Sequence, residues 1–157
     1  MRRLFDAIAR VTSLGAGAAL AVLALVCAWQ VFARYALNAS PGWTEPVALL
    51  LLNTVMMLGA AVAVRSESHF GFFIALESAP PRLGAILRAT NRSLVALVGA
   101  ALCYFGLVLA ADSWPVDMAG APMSQGWAFV PLTIGGLLMT VFAIERLLLP
   151  APAAEAV

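Results

Sequence analysis

The chain has 157 residues, of which 63% are apolar and only 11% are charged, and its formal net charge is +1. Soluble domains use roughly 45–50% apolar and about 25% charged residues, so this composition indicates a membrane protein. The single histidine and the two widely separated cysteines exclude a bis-histidine haem site and a CxxC redox pair, and they suggest no metal cluster.

Four apolar stretches reach the roughly 20 residues needed to cross a hydrocarbon layer of about 30 Å. They cover about residues 11–33, 44–64, 93–111 and 128–149. Each is predicted to be a helix, because an open strand would leave backbone groups unsatisfied in lipid. The first stretch is too long for a cleaved signal peptide and is expected to remain as a membrane anchor. We therefore predict an all-α membrane protein, with one domain of four transmembrane helices over residues 1–157.

A polar stretch from Gln30 to Pro46 separates the first two spans. Arg34 and Glu45 within it should lie near each other, at the outer ends of two antiparallel helices joined by about ten residues. The alternative is that headgroups and water surround both charges, so that each contributes little. Glu45 also begins its helix, where a negative charge interacts favourably with the helix dipole.

The second span carries Asn53, the most centrally placed polar side chain of the four spans. An interhelical hydrogen bond is the expected role, and coordination of an ion or substrate is the alternative. The fourth span carries Gly135 and Gly136, which would thin one face and admit a neighbouring helix.

The distribution of arginine predicts the orientation of the spans. Eight of the nine arginines fall on one side and only Arg34 falls on the other, so both termini should be cytoplasmic. Four tryptophans near the outer ends of the spans agree with this orientation: Trp29, Trp43, Trp114 and Trp127.

The long second loop follows on the cytoplasmic side. Residues 70–76 are too few to span and too apolar for water, which predicts a short interfacial segment between spans 2 and 3. The arginines around this loop are predicted to anchor the chain to anionic headgroups, and contact with a partner subunit is the alternative. The candidate headgroup anchors are Arg65, Arg82, Arg88 and Arg92.

The sequence lacks the features of a membrane enzyme or pump. The span interiors hold no Asp, Glu, Lys, Arg or His side chain, and no GxxxxGK[ST] phosphate-binding loop occurs. Four spans without a repeat or a mid-span break are too few to build a transport pathway alone. We predict a scaffold or accessory subunit that is not an enzyme, with no catalytic residue, metal or cofactor and no nucleic-acid partner.

The sequence resembles the small membrane subunit of TRAP (tripartite ATP-independent periplasmic) transporters, the DctQ-like family. The landmarks that carry the resemblance, in chain order, are Gln30-Val, Arg34-Tyr35, Asn38, Pro41, Trp43-Thr-Glu45, Gly59-Ala60 and the loop histidine His69. The similarity covers the whole chain, and the part from Arg34 to Glu45 is its most specific part.

The resemblance implies a multi-pass protein of the bacterial inner membrane that pairs with a large permease subunit. A periplasmic substrate-binding protein would deliver an organic acid, and a sodium gradient would drive its uptake. The small subunit would brace the large one and contact membrane lipids. The candidates for a structural or partner-interface role are Gln30, Arg34, Tyr35, Trp43, Glu45, Asn53 and His69.

Two other functions remain open at the level of sequence. One is the four-span small subunit of a tripartite tricarboxylate transporter, whose permease is unrelated to that of TRAP transporters. The other is a membrane oxidoreductase subunit, against which the single histidine argues. For Arg34 and Glu45, direct contact with the periplasmic binding protein is the alternative to a structural role.

Overall fold

The computed structural model of the protein describes residues 2–39, 41–66 and 81–148. These ranges form four α-helices and one short 3₁₀ helix. The helices are α1 (Arg2–Tyr35), α2 (Thr44–Ser66), α3 (Pro81–Asp112), the 3₁₀ helix (Gln125–Phe129) and α4 (Val130–Leu148). Four segments, the last of them α4 with its 3₁₀ turn, are long and apolar enough to cross a membrane, which confirms the predicted all-α class. His69 and the predicted interfacial segment 70–76 lie outside the described residues.

The helices differ in length. α1 has 34 residues and α3 has 32, so each is about 50 Å long and exceeds a hydrocarbon layer of about 30 Å. α2 has 23 residues, and the segment from Gln125 to Leu148 has 24, which suits a bilayer. The extra turns of α1 and α3 lie at their N-terminal ends, where both helices are rich in arginine. Arginine, alanine and leucine are good helix formers, so the helices continue through these charged turns.

The helices pack as an open row. α1 packs on α2, α2 packs on α4, and α4 packs on α3, so α1 and α3 form the two edges. Few apolar side chains are therefore buried within the described part of the chain. They are Ala19, Ala33, Ala61, Val95, Ala110, Ala121, Phe142 and Ala143. The large exposed apolar surface is available to lipid or to a partner.

Glycines determine how closely α4 approaches its two neighbours. A Cβ atom at Gly136 would lie 2.5 Å from the Cys103 nitrogen and 2.7 Å from the Gly99 carbonyl oxygen, both in α3. A Cβ atom at Gly135 would lie 2.6 Å from the Cβ atom of Met57 in α2. The expectation that this glycine pair admits a neighbouring helix is therefore confirmed on two sides, because each glycine faces a different helix.

The α1–α2 contact uses small residues at helical spacing. Thr12, Ala19 and Ala33 are buried along one face of α1, and a Cβ atom at Gly15 on the same face would lie 3.5 Å from Leu58 Cδ1. Positions three and four apart share a helix face, so this spacing gives one continuous seam. Gln30 falls three residues before Ala33 and is half-buried on this face.

The α1–α2 loop and the loop after α3 lie at the same end of the row, which we label the outer end after the predicted orientation, and they contact each other through glycine. Gly120 has a φ of +86°, which disfavours other residues, and a Cβ atom there would lie 2.7 Å from the Gly42 carbonyl oxygen. After α1 ends, Asn38 adopts a φ of 49°, a left-handed conformation that asparagine tolerates better than most residues. The hairpin between α1 and α2 therefore rests on the loop that follows α3.

Candidate functional site

The hairpin at the outer end presents several of the predicted site residues at the surface. Arg34 and Glu45 are both exposed, and neither forms an ion pair with any residue that the structure describes. The expected proximity of Arg34 and Glu45 stays a prediction. Tyr35 is 78% exposed and Trp43 is 42% exposed. We call these four exposed side chains the outer surface.

The backbone of this hairpin is fixed by hydrogen bonds, although four of its side chains are exposed. Thr44, the first residue of α2, is fully buried, and its Oγ1 donates to the Pro41 carbonyl oxygen at 2.8 Å. Glu45 follows in the first turn of α2, where a negative charge interacts favourably with the helix dipole. The outer surface therefore sits on a defined turn.

Asn53 joins α2 to the 3₁₀ helix. Its Nδ2 donates to the Ala128 carbonyl oxygen at 2.9 Å, and both groups are partly buried. Such bonds in membranes contribute about 0.6 kcal/mol on average and up to about 2 kcal/mol. The bond positions the short helix that leads into α4.

The opposite end of the row, which we label the inner end after the predicted orientation, carries three arginines that link the helices in their packing order. We call them the arginine chain: Arg92, Arg146 and Arg65. Arg92 Nη1 of α3 donates to the Arg146 carbonyl oxygen of α4 at 2.8 Å. Arg146 Nε donates to the Arg65 carbonyl oxygen of α2 at 2.7 Å. Arg92 and Arg146 thus each bond from their own helix to the next helix in the row.

The arginine chain continues from the Arg65 guanidinium to two carboxylates. Arg65 Nε donates to Glu145 Oε2 at 3.0 Å, and Arg65 Nη2 donates to Glu145 Oε1 at 3.3 Å. The same Nη2 atom donates to Asp6 Oδ1 of α1 at 2.6 Å. Arg65 therefore connects α2 to α4 and to α1, and all four helices are tied together at this end.

The two ion pairs of Arg65 differ in strength because their carboxylates differ in burial. The Glu145 side chain is only 6% exposed and that of Arg65 is 18% exposed, whereas Asp6 is 57% exposed. The Arg65 guanidinium carbon also lies 5.8 Å from the centroid of the Phe142 ring, which is fully buried. A two-pronged, charge-assisted contact with little water access is stronger than an exposed ion pair. The Arg65–Glu145 pair is thus the principal tie, and Asp6 is a peripheral one.

The main-chain acceptors of the arginine chain have a simple physical origin. The last four carbonyl groups of a helix lack an intrahelical donor. α2 ends at Ser66 and α4 ends at Leu148, so the Arg65 and Arg146 carbonyls belong to these groups. Arginine donors satisfy such carbonyls and interact favourably with the negative end of the helix dipole.

The predicted headgroup anchors divide into different environments. Arg65 and Arg92 donate to acceptors within the chain, whereas Arg88 is exposed. The side chain of Arg82 lies outside the described residues. A headgroup role for any of them stays a prediction.

Asp6, Glu145 and Arg146 were not among the site residues predicted from the sequence. The available signal was that Glu145 and Arg146 end a span otherwise free of ionisable residues. Ionisable groups at such a position are costly unless they pair, and Arg65 ends the only other span that runs in the same direction.

Metal and thiol chemistry have little support in the described part of the chain. No group of three or more His, Cys, Asp or Glu side chains that could hold a metal ion occurs there. Cys27 is exposed, Cys103 is half-buried, and neither forms a disulfide. The two ends of the row therefore offer surfaces and ties between helices.

Comparison with known proteins identifies similar chains. The family profile of tripartite ATP-independent periplasmic transporters, DctQ component, matches residues 23–152. This range contains the outer hairpin, the arginine chain and Glu145, but not Asp6.

Two curated proteins show similarity over most of this chain. The chain is 26% identical over 130 residues to the sialic acid TRAP transporter small permease protein SiaQ of Vibrio cholerae, covering 82% of this chain and 74% of that protein. It is 29% identical over 111 residues to the sialic acid TRAP transporter permease protein SiaT of Haemophilus influenzae, covering 70% of this chain. The match covers only 18% of SiaT.

Proposed function

The chain belongs to the DctQ component family of tripartite ATP-independent periplasmic transporters, and we propose that it braces a large permease subunit during sodium-driven uptake of an organic acid. It is a small permease subunit and a multi-pass protein of the inner membrane. The family is one of transporters and not of enzymes, which argues against an oxidoreductase subunit. Membership also favours this family over the tripartite tricarboxylate alternative.

The family match is the observation that carries the proposal, and the helix row supports a bracing role. The row is open, with both edges and much of its apolar surface uncovered. At its inner end, the arginine chain, the Arg65–Glu145 pair and the Arg65–Asp6 contact join the four helices. A thin row that is tied internally and exposed outside suits a scaffold for a larger membrane protein.

The match to SiaT supports a large partner. In that permease protein the region similar to this chain is 18% of the whole polypeptide, so the same chain carries a much larger remainder. We infer that a separate large permease subunit is the counterpart of that remainder here. Both relatives are named for sialic acid, an organic acid, which is consistent with the substrate class proposed. A periplasmic substrate-binding protein completes the proposed assembly.

We propose that residues 1–157 form one membrane domain with both termini cytoplasmic, and with residues 70–76 at the inner interface. The arginine-rich inner end supports this orientation, since Arg34 is the only arginine at the outer end. A cysteine introduced at position 3 should react with a membrane-impermeant maleimide only after the membrane is opened. A cysteine introduced at position 119 in the outer loop, the matched control, should react in intact spheroplasts, and the reverse result would contradict the orientation.

The proposed function predicts that the tagged chain co-purifies with a large permease in stable stoichiometry. Proteoliposomes that contain both subunits, with the binding protein outside, should accumulate a labelled organic acid such as sialic acid only under an inward sodium gradient. The chain alone should transport nothing. Uptake by the isolated chain would refute the bracing role. Full uptake by the large permease and the binding protein in the absence of this chain would also refute it.

The same assay tests the exposed hairpin, for which we propose a structural contact with the large permease. The Glu45→Lys variant should then lower co-purification. Asp117→Lys, the same charge change on the other outer loop, is the matched control and should assemble normally. If Glu45→Lys assembles but the binding protein no longer associates and uptake falls, the hairpin is instead a docking surface for that protein.

A further inference from the structure

We propose that the two inner overhangs, residues 3–10 of α1 and 83–92 of α3, bind anionic phospholipid headgroups through Arg3, Arg10 and Arg88. The overhangs are the N-terminal turns of α1 and α3 that extend beyond the length needed to cross the hydrocarbon layer. This inference depends on the proposed function in one respect, which is that the overhangs lie on the cytoplasmic side of the membrane.

The first support is the division of the inner-end arginines into two groups. Arg65, Arg92 and Arg146 donate to carboxylates or main-chain carbonyls of neighbouring helices. Arg3, Arg10 and Arg88 are exposed, and the structure shows no ion pair for them among the described residues. The second group therefore keeps its hydrogen-bond donors available for an external anion.

The second support is the apolar surface beside these exposed arginines. On α1, Leu4 is 65% exposed and Val11 is 68% exposed. On α3, Leu83, Ile86 and Leu87 are 48%, 62% and 39% exposed. Exposed leucine, isoleucine and valine next to arginine suit the boundary between acyl chains and headgroups, where the arginine stem lies along lipid and its guanidinium reaches a phosphate.

The third support is the position of the overhangs in the row. α1 and α3 are the two edge helices, so each overhang has lipid or a partner on its open sides. Each helix is about 50 Å long, and the excess over the hydrocarbon layer places the overhangs at and beyond headgroup level. A bilayer that contains anionic lipid attracts arginine at this level. The row would thereby be held at both edges of the same leaflet.

Native mass spectrometry of the purified full-length chain, titrated with phosphatidylglycerol or with phosphatidylcholine of the same acyl chains, tests the proposal. The wild-type chain should bind phosphatidylglycerol more tightly. Arg88→Gln should weaken that binding about fivefold, Arg3→Gln with Arg10→Gln should weaken it more, and phosphatidylcholine binding should not change. Arg88→Lys keeps the charge and should retain most of the preference.

Arg34→Gln is the matched control, because it removes an exposed arginine at the opposite end. Equal affinity of the wild-type chain for the two lipids would overturn the proposal. A loss of phosphatidylglycerol binding as large with Arg34→Gln as with Arg88→Gln would also overturn it. Circular dichroism verifies that each variant keeps its helix content. The assay needs no permease or binding protein, so its failure is distinct from failure of co-purification or uptake.

Discussion

Replacing Arg65 by methionine is expected to destabilise the helix row by about 3–5 kcal/mol, the cost typical of breaking a buried ion pair. The substitution leaves the Glu145 carboxylate, only 6% exposed, without its cation and removes the link to Asp6. It also removes the guanidinium beside the Phe142 ring. Equilibrium unfolding of the purified chain in mixed micelles, followed by circular dichroism, measures the loss.

Two further variants show whether the buried pair is the cause. Asp6→Asn removes the carboxylate charge of the exposed ion pair and should cost under about 1 kcal/mol. Arg65→Met combined with Glu145→Leu removes both charges and should recover most of the stability, because no uncompensated buried charge remains. If the double variant is as unstable as Arg65→Met alone, charge pairing does not explain the effect.

Replacing Gly136 by alanine is expected to separate α3 from α4, at a cost of about 1–3 kcal/mol or more. The new methyl group would meet the Cys103 nitrogen at 2.5 Å, the Gly99 oxygen at 2.7 Å and the Leu102 carbonyl carbon at 3.0 Å. All three are backbone atoms, so no side chain can rotate away and one helix must move. The same unfolding measurement, together with loss of co-purification with the large permease, reports the damage.

Gly59→Ala is the matched control for this substitution. A Cβ atom at Gly59 in α2 would have nothing within 4 Å, so the change should be neutral or slightly stabilising through the higher helix propensity of alanine. Comparable destabilisation by both substitutions would contradict the packing argument. Loss of co-purification with Gly59→Ala at unchanged stability would instead place a partner helix against α2.

Hydropathy alone was sufficient to predict the class of the protein and its four membrane-capable helices, because a continuous apolar run of about 20 residues that spans lipid satisfies its own backbone groups only as a helix. The helix ends were harder to predict, since α1 and α3 continue through arginine-rich turns that an apolar window excludes. The landmarks between Gln30 and Glu45 were enough to indicate the family, and the family profile confirms it.

The functional surfaces could be only partly predicted. Arg34 and Glu45 were predicted to lie near each other; both are exposed and form no ion pair within the described chain, and their proximity stays a prediction. Arg65 was predicted to meet lipid, and the structure gives its guanidinium two carboxylates of its own chain. The partner of an arginine depends on which helices pack against each other. The type of a charge and its position along the chain do not give this packing order.

The sequence by itself determined that this protein is helical, that it has four segments long and apolar enough to cross a membrane and that it belongs to a family of transporter subunits, because these properties depend on composition, periodicity and a local motif. Only the tertiary structure decided the order α1, α2, α4, α3, the glycine contacts of α4 and the division of the arginines into tied and exposed groups. The physical reason is that each of these depends on close approach between residues far apart in the chain. Arg65 and Glu145 are 80 positions apart in the chain, and their contact forms only when α2 and α4 pack side by side.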